Sequence, residues 1–283
     1  MMENKFIISA FADEAATDLQ RQIDALLRNG DAGCEVRGIN GENINNMSVP
    51  RVREYAAAFA SHGISVFSLG SPAGKTPLRG NIHKDEEDLK SLCEKAHIFG
   101  ASRIRIFSFY PPAGVRHADT GAETVERLGR FLDIAKSEDI YLCHENERGI
   151  YGQGAADSIY LANRLPDLRL VFDPANFVLA GEDTLSAWHL LRGRVDYLHI
   201  KDAFPDGRVV PAGEGCGALK EILTDYAAAG GQHVTVEPHL HVFSGLDALE
   251  GEARANIGSY GYTSADRAFD AAHEYFKKLV EVI

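Results

Sequence analysis

The feature that most constrains the fold is a short apolar run, rich in β-branched and aromatic residues, that recurs at intervals of roughly 30 residues. Eight such runs occur, at Phe6–Phe11, Gly33–Val36, Ile64–Leu69, Arg103–Phe109, Ile140–His144, Leu168–Phe172, Val195–Ile200 and His233–Val236. Their hydrophobicity is nearly continuous rather than alternating, which is typical of parallel strands that are covered on both faces. The runs therefore predict eight buried β-strands.

Amphipathic helical patterns lie between the runs. The predicted helices cover Thr17–Arg28, Asp85–Phe99, Glu123–Lys136, Ala218–Ala229 and Ser264–Val282, and Pro50 opens another one. Eight alternations of strand and helix predict an α/β fold in which residues 1–283 form a single (β/α)8 barrel domain. An open doubly wound sheet is less favoured, because Ser9–Glu14 after the first run is not a GxGxxG turn. The glycine-rich stretch His239–Ser264 is interpreted as an active-site loop or lid.

Charge and composition narrow the classes of partner. The chain has 29 Lys and Arg against 41 Asp and Glu, a net charge of −12. Nucleic acid and anionic membrane surfaces attract basic segments, so neither is an expected partner. The N-terminus does not resemble a signal peptide, and no stretch approaches the roughly 18 apolar residues of a membrane span. The four cysteines contain no CxxC pair, which fits reduced thiols and leads us to expect a cytoplasmic location.

Potential metal ligands follow four consecutive runs. Glu145, Asp173, His199 and Glu237 stand at or just after the ends of runs five to eight. The C-terminal strand ends of such a barrel carry its catalytic groups, and those ends converge. A lone acid at a strand end is more often a helix cap or an ion-pair partner, but four in register predict one divalent cation. Three carboxylates and one imidazole favour Mn²⁺, with Mg²⁺, Co²⁺ and catalytic Zn²⁺ left open.

The motifs around these residues resemble the sugar phosphate isomerase/epimerase superfamily, the xylose-isomerase-like TIM barrels that include the ketose 3-epimerases. The motifs are Leu142–Asn146 (LCHEN), Val171–Asn176 (VFDPAN), Tyr197–Asp202 (YLHIKD), Gly213–Gly217 (GEGCG) and Thr235–Glu237 (TVE). The resemblance runs along nearly the whole chain. It implies that Glu145, Asp173, His199 and Glu237 bind the cation and that Glu145 and Glu237 also act as acid/base groups.

The function implied by the resemblance is proton transfer next to a carbonyl. The enzyme would be a metal-dependent isomerase or epimerase of a sugar or sugar phosphate, working through a cis-enediolate. A dehydratase or lyase of a keto-sugar or keto-inositol is the alternative. An endonuclease IV-like phosphodiesterase and a non-catalytic sugar-binding barrel are weaker alternatives, the former because the chain is acidic. The expected partner is a small carbohydrate, and a homo-oligomer is left open.

One position departs from the epimerase pattern. Ketose 3-epimerases resemble D-x-x-H after the sixth strand, whereas Asn176 stands in the place of that histidine. An asparagine can hydrogen-bond a substrate hydroxyl but does not titrate near pH 7. Some phosphorylated-sugar epimerases also resemble D-x-x-N, so this departure weakens the assignment of a free ketose. We expect Asn176 to bind substrate, and the identity of the sugar stays open.

Four further residues are candidate substrate contacts. Lys201 follows His199 by two, so both side chains point to the same side of the strand. Lys201 is expected either to bind a substrate oxygen or phosphate, or to pair with Glu237 or Asp202. Glu35 and Arg37 end the second run and are expected to line the pocket or to form a structural ion pair. His239 closely follows the eighth run and is interpreted as a substrate contact.

Overall fold

Eight parallel strands close into a barrel in the computed structural model, which describes residues 5–243 and 261–283. The strands are β1 (Ile7–Ala10), β2 (Gly33–Val36), β3 (Ser65–Gly70), β4 (Arg103–Ile106), β5 (Tyr141–Glu145), β6 (Arg169–Phe172), β7 (Val195–Ile200) and β8 (His233–Val236). Each strand pairs with the next, and β1 pairs with β8 over its whole length, which closes the sheet. The predicted (β/α)8 barrel is confirmed.

The helices follow the strands along the chain. They are α1 (Leu19–Asn29), α2 (Val49–Ser61), α3 (Ile82–Phe99), α4 (Gly121–Ser137), α5 (Ala155–Arg164), α6 (Pro174–Leu179), α7 (Thr184–Leu191), α8 (Leu219–Ala228) and α9 (Ala265–Glu281). Side-chain caps set several of their starts. Asp18 accepts a hydrogen bond from the backbone N–H of Arg21, so α1 begins two residues later than predicted. Asn81 caps α3 in the same way, and this helix begins three residues earlier than predicted.

The barrel interior changes character along its axis. Most buried apolar side chains belong to one large cluster that includes residues of both the strands and the helices. A separate small cluster, formed by Cys143, Val171 and Tyr197, belongs to strands alone. The Tyr197 hydroxyl donates to the carboxylate of Glu35 at 2.9 Å, and Thr235 donates to the same carboxylate at 2.9 Å. These bonds join three strands and give the interior a polar layer, which leads to the C-terminal strand ends.

The segment after β8 is only partly described. His239 has a positive φ of 46°, and both Leu240 and Phe243 are buried. Residues 244–260, which make up most of the predicted loop or lid, lie outside the described residues. Among the described residues, no helix has both the length and the apolar character needed to cross a membrane. Cys34, Cys93 and Cys143 are buried free thiols, whereas Cys216 is exposed.

Candidate metal centre

The four predicted ligands lie together at one end of the barrel. Glu145 ends β5, Asp173 follows β6, His199 lies in β7 and Glu237 follows β8. All four are buried, and one ligand atom from each lies within 4.8 Å of those of the others. Nδ1 of His199 is 3.3 Å from Oε1 of Glu145 and 3.5 Å from Oε2 of Glu237. This cluster could hold a metal ion; that these residues are its ligands stays a prediction.

The chemistry of the cluster fits a divalent cation. Three carboxylates and one imidazole form a mixed, oxygen-rich donor set, which suits hard or borderline divalent ions. Burial makes this concentration of negative charge costly unless cations compensate it. A divalent ion at the common point of the four donor atoms would supply that compensation.

The second nitrogen of His199 contacts Glu35. Nε2 lies 3.3 Å from Oε2 of Glu35, and both side chains are fully buried. A carboxylate on the far nitrogen of a metal-binding histidine fixes its tautomer and ring orientation. The structure therefore places Glu35, a predicted pocket residue, behind His199.

Lys201 lies between two of the four carboxylates. Its Nζ is 2.7 Å from Oδ2 of Asp173 and 2.8 Å from Oε2 of Glu237. It points to the same side of the chain as His199, as the two-residue spacing predicted. Of the two predicted roles, pairing with a carboxylate is the one seen. Glu237 is a predicted partner, but the second partner is Asp173 and not the predicted Asp202.

Asp202, which follows Lys201 in the sequence, binds the backbone of the GEGCG motif. Its carboxylate accepts hydrogen bonds from the backbone N–H groups of Gly213, Gly215 and Gly217, at 2.8 to 3.0 Å. A Cβ on Gly215 would lie 2.3 Å from Oδ1 of Asp202. The backbone can approach this carboxylate so closely only with glycine at that position. The GEGCG segment is thus held against the end of β7 by one aspartate.

Asn176 lies in the first turn of α6 and connects two of the predicted ligands. Its backbone N–H donates to Oδ1 of Asp173, which caps the helix, at 3.0 Å. Its side-chain amide donates to Oε1 of Glu145 at 3.2 Å and to the carbonyl of Asn146 at 2.9 Å. The predicted substrate contact thus also orients Glu145.

Arg105 is a site residue that the sequence reasoning missed. It lies in β4, and its Nη1 donates to Oε2 of Glu145 at 2.7 Å. The signal was a buried arginine within an otherwise apolar strand, since Arg105 is only 3% exposed. Such a charge requires a partner, and its partner ends the adjacent strand β5.

Arg37 binds Glu237 in the way that Arg105 binds Glu145. Its Nη1 donates to Oε1 of Glu237 at 3.1 Å, while its other nitrogens bind Asp13 at 2.8 Å and Glu14 at 2.9 Å. Nδ1 of His239 lies 3.0 Å from Oε1 of Glu14 and 3.7 Å from Oε1 of Glu237. Glu14, Glu237 and His239 form a second group that could hold a metal ion, but the guanidinium of Arg37 already bridges its two carboxylates.

The two glutamates of the cluster have lowered pKa values. Burial raises the pKa of Glu145, but the neighbouring His199 and Arg105 outweigh burial and lower it. Burial likewise opposes ionisation of Glu237, and the adjacent Lys201 contributes most to holding its pKa well below the usual range. Both carboxylates are therefore ionised near neutral pH and able to accept a proton.

Asp173 behaves differently. Its carboxyl is completely buried, and burial raises its pKa to about 7 despite the nearby charge of Lys201. The charges of Glu237 and Glu145 add to the increase. A cation in the cluster would favour loss of this proton, since carboxylates bind metals in the ionised form.

Comparisons with solved structures show the same fold in several enzymes. The structure of the probable 3-DHS dehydratase AsbF, involved in petrobactin synthesis in Bacillus anthracis, is similar with a TM-score of 0.73 and 15% identity, over 95% of this chain and 98% of that one. D-allulose 3-epimerase from Methylomonas sp., solved with D-allulose, has a TM-score of 0.73 and 15% identity over 98% of each chain. The IolI protein, solved with a bound zinc atom, has a TM-score of 0.72 and 15% identity over 97% and 98%.

The sequence also matches a family model. A search of curated protein sequences found no match. The model of the xylose isomerase-like TIM barrel, by contrast, matches residues 23–259, which is most of the chain. The resemblance inferred from the strand-end motifs is thereby confirmed, and the chain belongs to the xylose isomerase-like TIM barrel family.

Proposed function

We propose that the protein is a divalent-metal-dependent sugar isomerase or epimerase that transfers a proton next to a carbonyl through a cis-enediolate. The observation that carries this proposal is the pair Glu145 and Glu237. These carboxylates come from opposite ends of the series β5–β8, yet both lie within 3.5 Å of Nδ1 of His199. Two carboxylates that face one point allow one of them, when ionised, to remove a proton and the other, once protonated, to donate one.

The predicted ligands would hold the cation through four strand ends. We favour Mn²⁺ over Mg²⁺, Co²⁺ or Zn²⁺ because the donor set is rich in oxygen. When bound, the cation would supply Lewis acidity that favours loss of a proton next to the carbonyl. One of the two glutamates, in its ionised form, would take that proton, and the other, after taking up a proton from water, would return one. Return to the same carbon from the other face gives an epimer, and return to the neighbouring carbon gives an isomer.

The surrounding side chains would orient the substrate and the two bases. Asn176, Lys201 and His239 present donors that suit substrate hydroxyl or carbonyl oxygens. Glu35 and Arg37, for which a pocket role was predicted, would act by holding His199 and Glu237 in place. We also propose a carbohydrate substrate and a cytoplasmic location, which the free thiols support.

The test is exchange of substrate C–H hydrogens in D₂O. Metal-loaded protein is incubated with a panel of ketoses, and NMR follows hydrogen at the carbon next to the carbonyl. Glu145→Gln and Glu237→Gln should each slow exchange by about 10² to 10⁴-fold, the usual contribution of a general base. Circular dichroism and metal content serve as controls for folding and loading. Full exchange activity in both variants would disprove the assigned roles.

A second candidate is a dehydratase or lyase of a keto-sugar or keto-inositol. The ammonium of Lys201, 2.8 Å from Oε2 of Glu237, is a candidate acid for a departing hydroxyl. The same proton abstraction would then be followed by loss of water rather than by reprotonation. Measuring water loss alongside exchange separates the two, because an epimerase exchanges hydrogen while conserving the substrate's formula.

A further inference from the structure

Building on the proposed function, we infer that the substrate is an uncharged polyhydroxy ketone, a keto-sugar or a cyclic polyol ketone, and not a sugar phosphate or a keto acid. The inference concerns the charge around the proposed reaction centre. Anion-binding sites present cations or backbone N–H groups that are free to bind the ligand. In the part of the chain that the structure describes, the buried cations Arg37, Arg105 and Lys201 next to the centre are each bound to carboxylates of the protein itself.

Arg37 is the clearest example. Its side chain is 2% exposed, and its nitrogens contact Asp13 at 2.8 Å, Glu14 at 2.9 Å and Glu237 at 3.1 Å. One guanidinium thus serves three carboxylates. A substrate phosphate could gain Arg37 only by displacing one of them and leaving it buried without this partner.

The other cations are bound in the same way. Arg105 donates to Glu145 at 2.7 Å, and Lys201 lies within 2.8 Å of both Asp173 and Glu237. A bound divalent cation would compete with Lys201 for these oxygens. The ammonium of Lys201 adds the same positive charge to the centre whether it contacts Asp173 or Glu237.

A fourth cation, Lys75, is also paired with a carboxylate. Nζ of Lys75 lies 3.1 Å from Oε2 of Glu147, with the lysine side chain 8% and the glutamate 23% exposed. The same ammonium lies 4.4 Å from the centre of the Phe107 ring. Lys75 is therefore another cation with a carboxylate partner.

Counting charges leads to the same conclusion. The carboxylates in contact with the cluster or its arginines are Asp13, Glu14, Glu35, Glu145, Asp173 and Glu237. Among the described residues, three permanent cations, Arg37, Arg105 and Lys201, leave an excess of three negative charges when all six carboxylates are ionised. A divalent ion would reduce this excess to one negative charge. An added phosphate dianion would therefore be buried without a free cation among the described residues to compensate it.

An uncharged polyol meets no such penalty. Its hydroxyls donate to carboxylates, which are plentiful here, so its binding does not require a free cation. The excess of acceptors over free donors matches a ligand with many O–H groups. This complementarity identifies the substrate class within the proposed function.

The experiment compares matched neutral and anionic ligands on the metal-loaded full chain. Pairs of a ketose and its phosphate, and of a keto-inositol and a keto acid of similar ring size, are measured by D₂O exchange and by calorimetric binding. We expect the neutral member of a pair to bind and exchange at least about tenfold better, which is the effect of 1.4 kcal/mol. Preference for the phosphate or keto acid would overturn the inference while leaving the proposed proton transfer intact.

Ligand binding can be measured even if no ligand exchanges its hydrogen in D₂O. If no ligand exchanges hydrogen, the proposed function is wrong for these substrates, and the neutral-to-anionic ratio of binding constants still decides the substrate class. If no member of any pair binds, the class is also wrong.

A charge variant tests the electrostatic cause directly. Glu14→Gln removes one negative charge beside Arg37 without altering any of the four predicted ligands, so it should raise relative binding of the phosphorylated ligand severalfold. Glu221→Gln makes the same change at an exposed position in α8 and should leave the ratio unchanged. Equal ratios in the two variants would contradict the electrostatic explanation.

Discussion

Each proposed base accepts a hydrogen bond from one arginine through one oxygen, and its other oxygen faces His199. Oε2 of Glu145 accepts from Arg105, which leaves Oε1 towards His199. Oε1 of Glu237 accepts from Arg37, which leaves Oε2 towards His199. A glutamate side chain rotates about three torsions, so these hydrogen bonds order both side chains before substrate binds.

Replacing Arg105 should move the pH dependence of catalysis. With Arg105→Met, burial of Glu145 persists while a cation that lowers its pKa is lost, so that pKa rises. The base is then protonated over a wider acidic range, and the acid limb of the kcat/KM profile shifts to higher pH. Arg105→Lys keeps a positive charge beside Glu145, so its acid limb should shift less than that of Arg105→Met. An unchanged acid limb at normal metal content would show that Arg105 does not tune Glu145.

Two glycines in the β5–α5 loop allow the cost of a close contact to be measured apart from the cost of backbone strain. Gly152 has a φ of 96°, and a Cβ there would lie 2.7 Å from Cε1 of His144 and 3.2 Å from Leu161. Gly149 has a φ of 80° with nothing within 4 Å of such an atom. Gly149→Ala should cost about 1 kcal/mol of unfolding free energy and Gly152→Ala about 2 kcal/mol or more. Urea unfolding measures both, and equal losses would mean that the contact with His144 is absent.

At this scale the sequence was informative where a residue's position along a strand determines its direction. Lys201 shares a side with His199 because strand side chains alternate, and this was predictable. The links of Arg105 to Glu145 and of Arg37 to Glu14 were not. They join residues 40 and 23 positions apart in sequence. A polar pair of this kind depends on which strands are neighbours and on their register, which periodicity does not contain.

Among the elements, the strands were predicted better than the segments that follow them. The bounds of β2, β7 and β8 match the apolar runs, because each run ends where the polar site begins. The fourth run, however, extends to Phe109, while β4 ends at Ile106. The N–H groups of Phe107 and Phe109 donate instead to the carbonyls of Ala73 and Gly74 in the loop after β3. Hydrophobicity alone does not distinguish these loop bonds from a strand ladder.

The short helices between β5 and β7 were not predicted. Helices α5, α6 and α7 have 10, 6 and 8 residues, too few for a clear apolar period. Helix α6 follows Asp173 directly, and that residue is at once its N-cap and a predicted metal ligand. The local structure here depends on a polar side chain with two partners rather than on a hydrophobic stripe.

The docking of α9 against the start of the barrel offers a test at the scale of elements. Nε2 of His273 in α9 lies 2.8 Å from Oδ2 of Asp31, just after α1, and both side chains are fully buried. Arg28, whose side chain is 43% exposed, binds Asp266 and Asp270 of the same helix. His273→Leu would leave a buried carboxylate without its partner and should cost about 3 kcal/mol or more. Arg28→Leu should cost about 1 kcal/mol or less.

The control for this interface is a double variant measured by urea unfolding. Adding Asp31→Asn to His273→Leu removes the buried charge, so the double variant should be more stable than His273→Leu alone. If the double variant loses the sum of both single costs, the two side chains do not interact.

For the whole molecule, the main consequence of the fold is that one small cluster depends on much of the barrel. The predicted ligands come from the ends of β5, β6, β7 and β8, and Glu35 behind His199 comes from β2. Separating these strands would remove the cluster, so an ion bound there would favour the closed barrel over unfolded chains. Metal binding and global stability should therefore be linked.

Removing and restoring metal should change the melting temperature of the entire chain. At an ion concentration 100 times its Kd, binding contributes about 2.7 kcal/mol, which for a chain of this size corresponds to a rise in melting temperature of roughly 5 °C. Differential scanning calorimetry after chelation, and after addition of Mn²⁺, Mg²⁺, Co²⁺ or Zn²⁺, measures the change. Asp173→Asn keeps an oxygen able to cap α6 but lacks the charge that burial disfavours. This variant should equal or exceed the chelated parent protein in stability and lose the response to metal. A parent protein that responds to none of the four ions would refute the metal centre, whereas a response that persists in Asp173→Asn would locate the ion elsewhere.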